Sequence, residues 1–346
     1  MKRLRPPRHR LTRAAAATVA VLAISLPALA CGASHGDPSI VLYNGQHPQL
    51  TNAIVAAFTK RTGIQIEQRT NDGIVLADQL LQEGSDSPAD VYLTENSPEL
   101  VALDQHHLLA ALDRSTLAQV PASERAPTGD WAGVALRVGG LAYDPGLISA
   151  AQLPRSVLAL AEPRWKGKIA IAPADSDFPP LVGAVIATYG TTVAQRWLAG
   201  LKRNAQIFQT DEAVVAAVNR GDVATGLINH YYWYRLRLEI GAGAIHSRVY
   251  YFPDHNVGSI ENISGAAVLA SSAHKRDAQK FVAFLVSRAA QEILAHSADF
   301  EYPARPGVKP NPALRPLRAI SPARLGPVKL GNDQQAARLI EQSGLV

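Results

Sequence analysis

The sequence predicts an α/β protein of two lobes, and three observations carry that prediction. Short apolar strand-like runs alternate with helix-compatible segments between residues 40 and 93, and the same alternation starts again near residue 165. Residues with ligand chemistry then fall at the carboxyl ends of predicted strands in both halves. Strands alternating with helices argue for a parallel sheet covered by helices. In such sheets ligands bind where the loops beyond the strand ends converge.

The elements follow in order. Ile40-Val41-Leu42-Tyr43 reads as a buried strand. Pro48 opens a helix with Leu50, Ile54, Val55 and Phe58 on one face, and Gly63 stops it. Ile64 to Gln68 is a second strand, Ile74 to Glu83 a second helix ended by Gly84, and Asp90 to Leu93 a third strand. In the second half Ile169-Ala170-Ile171-Ala172 is a strand that delivers the turn-forming loop Pro173 to Phe178. Helices follow over Leu181 to Tyr189 and Val193 to Arg203. A third runs from Asp211, read as its cap, to Asn219, with Gly221 as its stop. Val223 to Ile228 is the next strand, and Asn229-His230-Tyr231-Tyr232-Trp233-Tyr234 sits at its carboxyl end. His47 and Glu95 follow predicted strands in the first half. Two lobes with ligand candidates facing each other is the plan of a hinged binding protein that traps its ligand by closing.

Residues 1–30 stand apart. Six basic residues precede the apolar run Ala14 to Leu26, and Leu26-Pro27-Ala28-Leu29-Ala30 closes with small residues before Cys31. The run is too short for a membrane span and reads as a secretory signal peptide. Cys31, the one cysteine in the sequence, resembles the acylated cysteine of a bacterial lipoprotein, although Ala28 stands where leucine or valine is usual. The expected location is therefore periplasmic or cell-surface, lipid-anchored through Cys31.

The full sequence carries 34 basic and 29 acidic residues, but the six basic residues of the leader leave 28 against 29 in the remainder. The basic balance belongs to the leader, so a nucleic-acid partner is not expected. One cysteine permits no internal disulfide, and Met1 as the one methionine excludes a thioether-rich soft-metal site.

Tyr231 and Tyr232 stand out chemically. Two phenolates are hard, anionic oxygen donors suited to a trivalent cation. Tyr and Trp runs also occur in half-buried strands and at domain seams, so the pair alone is not a site.

Tyr43-Asn44-Gly45-Gln46-His47 resembles the opening strand of the periplasmic ferric-ion-binding proteins, the solute receptors of bacterial iron ABC transporters. Pro88 to Glu95, Trp165 to Lys168, Leu227 to Tyr234, Ser264 to Leu269 and Glu301-Tyr302-Pro303 are similar to further segments of that family, in order. The likeness covers most of residues 39–346. It implies a two-lobed type 2 periplasmic-binding-protein fold, each lobe a mixed sheet flanked by helices, joined by a two-strand hinge. It also implies capture of Fe³⁺ by His47, Glu95, Tyr231 and Tyr232, and delivery to an inner-membrane permease by a monomer. Two phenolates and one carboxylate would match the three charges of Fe³⁺, with neutral imidazole as a fourth donor.

Arg137 is the nearest match to an arginine the family relates to the site, as a cleft cation or an outer partner; a strand-end surface arginine is the competing reading. Tyr143 is read as a core aromatic rather than a further phenolate. The family completes iron's shell with an exogenous anion such as phosphate or carbonate, and Asn229 and Ser176 are the candidates to hold one. Here the sequence departs from the family: the loop is Asp175-Ser176-Asp177, and Asp211 occupies a position where an amide is usual. Carboxylates repel an anion unless protonated or paired. The anion is then absent or different, or an aspartate fills the shell, or the aspartates are turn and cap residues.

The expected lobes are residues 39–136 with 263–312, and residues 137–262 with 313–346, with a proline-rich connector from Pro303 to Pro316. A receptor for an organic or oxyanionic solute, of phosphonate or polyamine type, is the alternative reading. A secreted hydrolase is remote, because no Gly-x-Ser-x-Gly elbow, His-Glu-x-x-His helix or phosphate-cradling glycine loop is present.

Overall fold

The computed structural model describes residues 39–346, so the expectations for the leader and for Cys31 lie outside the described residues. The chain begins with β1 (Ser39–Gly45), α1 (Pro48–Thr62), β2 (Gln65–Thr70), α2 (Gly73–Glu83), β3 (Val91–Thr94) and α3 (Ser97–Gln105). Two short elements follow, β4 (Leu109–Ala110) and α4 (Arg114–Leu117), before the long β5 (Trp131–Tyr143). The second half holds β6 (Ile169–Ile171), α5 (Phe178–Tyr189), α6 (Thr191–Asn204), β7 (Ala205–Ile207), α7 (Asp211–Arg220), β8 (Thr225–Asn229), α8 (His230–Ile240) and β9 (Arg248–Tyr250). Then come β10 (Glu261–Leu269), α9 (Lys275–Leu285), α10 (Arg288–His296), β11 (Tyr302–Pro303), α11 (Leu317–Ile320), α12 (Gly326–Leu330) and α13 (Gln334–Ser343).

Local chemistry sets several of these boundaries. Pro48 opens α1, where its missing N–H costs nothing, and Gly63 ends it at φ 76°, a left-handed conformation that glycine adopts without strain. Thr210, not Asp211, caps α7: its side chain accepts from the Ala213 N–H, and Asp211 is the first helical residue. The helix after β8 starts directly at the strand's end, because Asn229 is extended and His230 is already helical. Tyr231 and Tyr232 therefore lie in the first turn of a helix rather than in a loop.

The strands run in the order β2-β1-β3-β10-β5-β8-β6-β7. β1 pairs in parallel with β2 and β3, and β6 in parallel with β7 and β8. β10 is antiparallel to β3 and β5. β5 belongs to both sheets: Trp131 to Val138 pair with β10, and Gly139 to Tyr143 pair with β8. Arg137 sits at that changeover, opposite Asn262.

The apolar cores follow the same division. One cluster gathers Leu42, Ile54, Phe58, Phe281 and Leu285 around the first sheet. Another gathers Leu141, Ile169, Val182, Trp197 and Leu201 around the second, and Tyr143 is buried in it as the sequence reading expects of a core aromatic. A third runs between them, joining Tyr92 and Leu136 to Val214, Tyr231 and Tyr232. Burying one such aromatic or aliphatic side chain contributes roughly 1.5–3 kcal/mol. The tyrosine rings thus contribute to cohesion whatever their hydroxyls do.

Candidate metal centre

The four predicted metal ligands lie at strand ends or helix starts on this frame, while Arg137 sits inside β5. His47 follows β1 and precedes α1, with its backbone N–H donating to Gln46 Oε1 at 2.7 Å. Glu95 follows β3. Asp177 precedes α5, Asp211 begins α7, and Tyr231 and Tyr232 are the second and third residues of α8. Five helix N-termini, those of α1, α3, α5, α7 and α8, therefore carry or adjoin these side chains. Each presents roughly half a positive charge, which lowers the cost of collecting anionic groups there.

The structure brings most of the predicted set together. His47 Nδ1 pairs with Glu95 Oε1, and the His47 ring stands edge-on to Tyr231 at 5.2 Å between centroids. The rings of Tyr231 and Tyr232 lie 4.1 Å apart. His47, Glu95, Ser176 and Tyr232 line a polar cavity of about 500 Å³, and Tyr231 is not part of that lining. His47 Nε2 is buried without a partner. An unpaired buried ring nitrogen beside a carboxylate and two phenols suits a metal donor better than a packing residue.

Arg137 is not a surface arginine. It is fully buried and meets three carboxylates: Nη2 lies 2.5 Å from Glu95 Oε2, Nη1 3.0 Å from Asp177 Oδ1, and Nε 2.9 Å from Glu301 Oε1. The Nη2 contact is a charge pairing without hydrogen-bond alignment, so the directed bonds are those to Asp177 and Glu301. The guanidinium also stands 5.1 Å from the centre of the Tyr231 ring. Replacing Arg137 by alanine leaves these carboxylates uncompensated. Removing one member of a buried charged set typically costs about 3–5 kcal/mol. We expect Arg137→Ala to lower the urea midpoint of the metal-free protein accordingly, and Arg137→Lys not to restore it, since an ammonium cannot make the forked contacts.

The three aspartates separate into different roles. Asp175 Oδ1 accepts from the Asp177 N–H at 3.1 Å and its Oδ2 from the Asp211 N–H at 2.9 Å, so it is a turn-holding residue. Asp211 Oδ2 accepts from the Asn229 N–H at 3.3 Å. Asp177 Oδ2 accepts from the Tyr231 hydroxyl at 2.9 Å, opposite its bond to Arg137. Oxygens of all three lie within 4.8 Å of one another. Burial, followed by the charge of Asp177, raises Asp175 to about 7, and burial with both neighbours raises Asp211 well above the carboxylate range. Burial also opposes ionisation of Asp177, but the Arg137 charge and the hydrogen bonds from Asn229, Tyr231 and Arg137 together outweigh it and keep Asp177 low. Asp177 is therefore the most readily ionised carboxylate of the cluster.

Asn229 and Ser176 are placed less directly than the sequence reading supposes. Asn229 lies with Asp177 and Asp211 around a small cavity of about 30 Å³, and the Ser176 carbonyl accepts from Asn96 Nδ2 at 3.4 Å. Two residues without an assigned role prove central. Glu301 is fully buried and accepts from Arg137 Nε and, at 3.2 Å, from Gln46 Nε2. Gln46 holds the His47 backbone in turn. Both stand inside the family-like segments of the sequence, but a carboxylate in Glu301-Tyr302-Pro303 carries no local sign of burial.

Two sheets sharing one long strand, with polar ligand-bearing helix starts facing a cleft, define a bacterial solute receptor. Residues 86–320 match the model of the bacterial extracellular solute-binding proteins, and the chain belongs to that family. It is similar to the Fe(3+)-binding periplasmic protein of Serratia marcescens, at 40% identity over 329 residues covering 95% of this chain and 97% of that protein. It is similar also to the major ferric iron-binding protein of Neisseria meningitidis serogroup B, at 35% identity over 331 residues covering 94% of this chain and 96% of that one. Iron-bound HitA from Pseudomonas aeruginosa superimposes with a TM-score of 0.85 at 41% identity, over 89% of this chain and 99% of that chain. The fold is the two-lobed type 2 architecture expected from the sequence. Among the described residues no helix is long and apolar enough to cross a membrane.

Proposed function

We propose that this protein is an extracytoplasmic receptor that captures ferric iron between its lobes and hands it to an ABC-transporter permease. The observation that supports this most is the gathering of His47, Glu95, Tyr231 and Tyr232 around one cleft, with His47 Nε2 unpaired. The iron-binding names of the similar proteins point the same way. In this reading Glu95, which meets His47 and Arg137, exchanges a contact for the metal. Tyr231 and Tyr232 lose their protons as they bind. A receptor for an oxyanionic solute fits less well, because the Arg137 guanidinium that would greet the anion is already committed to three carboxylates.

Titrating the purified metal-free protein with a ferric chelate tests the proposal. A tyrosinate-to-iron charge-transfer band is expected in the visible range, and its absence under all anion conditions would sink the reading.

We further propose that no exogenous anion is required. Asp177 already supplies a negative charge at the Arg137 and Tyr231 contacts, and a phosphate beside it would meet repulsion. The charge-transfer band is then expected in phosphate- and carbonate-free buffer, with affinity changed less than about twofold on adding either anion, a shift of under roughly 0.4 kcal/mol. A band that forms only with added anion would overturn this assignment. Export by residues 1–30, acylation at Cys31 and action as a monomer belong to the same proposal, and mass spectrometry of the mature N-terminus tests the first two.

A further inference from the structure

His230 is the residue before the metal-facing tyrosines, and it is fully buried. Its Nδ1 accepts from the Val138 backbone N–H at 3.2 Å, and its Nε2 lies 2.9 Å from the Phe300 carbonyl oxygen. A ring that accepts at one nitrogen and donates at the other is neutral and held as the Nε2–H tautomer. The ring also stacks on Tyr302 at 5.1 Å between centroids.

The three points this ring joins are each one residue from a member of the metal centre. Val138 follows Arg137 on β5, at the changeover between the two sheets. Phe300 precedes Glu301, which bonds Arg137 and Gln46. His230 itself precedes Tyr231 in the first turn of α8. The ring therefore fixes the distance between the tyrosine-bearing turn, the strand that carries the arginine, and the segment that carries the buried glutamate. A leucine or phenylalanine here would pack, but would leave the Val138 N–H and the Phe300 carbonyl without partners.

We propose that His230 is a positioning residue for iron capture: through its two ring nitrogens it holds the Tyr231–Tyr232 turn in register with Arg137 and Glu301. The proposal rests on the ferric-receptor reading above. It assigns His230 no bond to the metal. Outer partners that orient metal ligands typically change affinity by about 10–100-fold when removed.

The test uses the full mature protein and three substitutions. His230→Phe removes both ring bonds, His230→Asn retains an acceptor for the Val138 N–H, and His230→Gln retains a donor able to reach Phe300. Ferric affinity by chelator competition is expected to fall about 10–100-fold in His230→Phe, with smaller losses in the two amide variants. The charge-transfer maximum is expected to shift in all three, because the phenolate geometry changes. A merely structural histidine would lower the thermal midpoint and leave both the band position and the affinity of folded protein unchanged, and that result overturns the proposal. Should the variants fail to fold, nitrogen NMR of the wild-type imidazole decides, with Ga³⁺ as a diamagnetic stand-in. An Nε2–H tautomer retained before and after loading supports the proposal, and a change of tautomer on loading overturns it. Wild-type protein without a charge-transfer band would sink the ferric reading instead, so the two failures are distinguishable.

Discussion

Replacing Tyr231 and Tyr232 together by phenylalanine is expected to abolish the charge-transfer band while leaving the metal-free protein folded. The two parts of this expectation have separate causes. Each phenylalanine keeps the ring, so the contacts of Tyr231 with His47 and with Tyr232 survive. The hydroxyl of Tyr231 loses its bond to Asp177, a net change of about 1 kcal/mol. Asp177 keeps its bond to Arg137 and is not left uncompensated. The loss of metal affinity is much larger. Two of three anionic donors disappear, and each should count for at least the roughly 10–100-fold that an outer partner alone is worth. A combined loss of about 10²–10⁴-fold is therefore a lower bound, read by competition against a ferric chelator. Folded double variant that binds ferric iron as tightly as wild type would remove the tyrosine pair from the site. The single variants distinguish the partners: Tyr232, which lines the cavity, should cost at least as much as Tyr231.

The comparison with Arg137→Ala makes the division of labour plain. That substitution acts chiefly on stability, because it unbalances Glu95, Asp177 and Glu301 before any metal arrives. The tyrosine substitutions act chiefly on binding. Arg137 holds together three carboxylates that would otherwise repel one another.

Local chemistry explains which of these features can be read from the sequence. Pro48, Gly63, Gly84 and Gly221 punctuate their helices through constraints that act within a few residues, and the structure places the helix ends beside them. His47, Glu95 and the tyrosine pair are legible as strand-end residues with ligand chemistry. The start of α8 is not, because Tyr and Trp favour strands and only the tertiary setting turns His230 to Tyr234 into helix. Asp211 is a plausible cap until Thr210 is seen to accept the Ala213 N–H. Glu301 and Gln46 meet across 255 residues of chain, a pairing no local pattern encodes. Arg137 reads equally as a cleft cation or as a strand-end surface residue; its burial follows from β5 passing between two sheets at that point.

Acidification should release the metal steeply, by about 100-fold per pH unit. Burial raises both tyrosines well above their ordinary range; Asp177 adds to this in each case, and Glu95 more weakly, while Arg137 opposes it only at Tyr231. Both hydroxyls are therefore protonated in the metal-free protein at neutral pH, and both must lose a proton to bind as phenolates. The metal-free state holds more protons than the loaded state, so lowering the pH favours the metal-free state. Two protons released per ion give a slope of about two decades of affinity per pH unit, or about 10⁴-fold between pH 7.5 and 5.5. Burial lowers the His47 pKa, but the charge and hydrogen bond of Glu95 together with the charge of Glu301 outweigh it, so the ring stays partly protonated further up the pH scale than usual. Where it is protonated it adds a third proton to the release and steepens the slope. Potentiometric measurement of protons released per ferric ion, corrected for the chelate, is expected to give two near pH 8 and to rise toward three near pH 6. Release of fewer than one proton at both pH values would mean that the phenols do not bind as phenolates, and the site would then have to be rebuilt around His47, Glu95 and Asp177 alone.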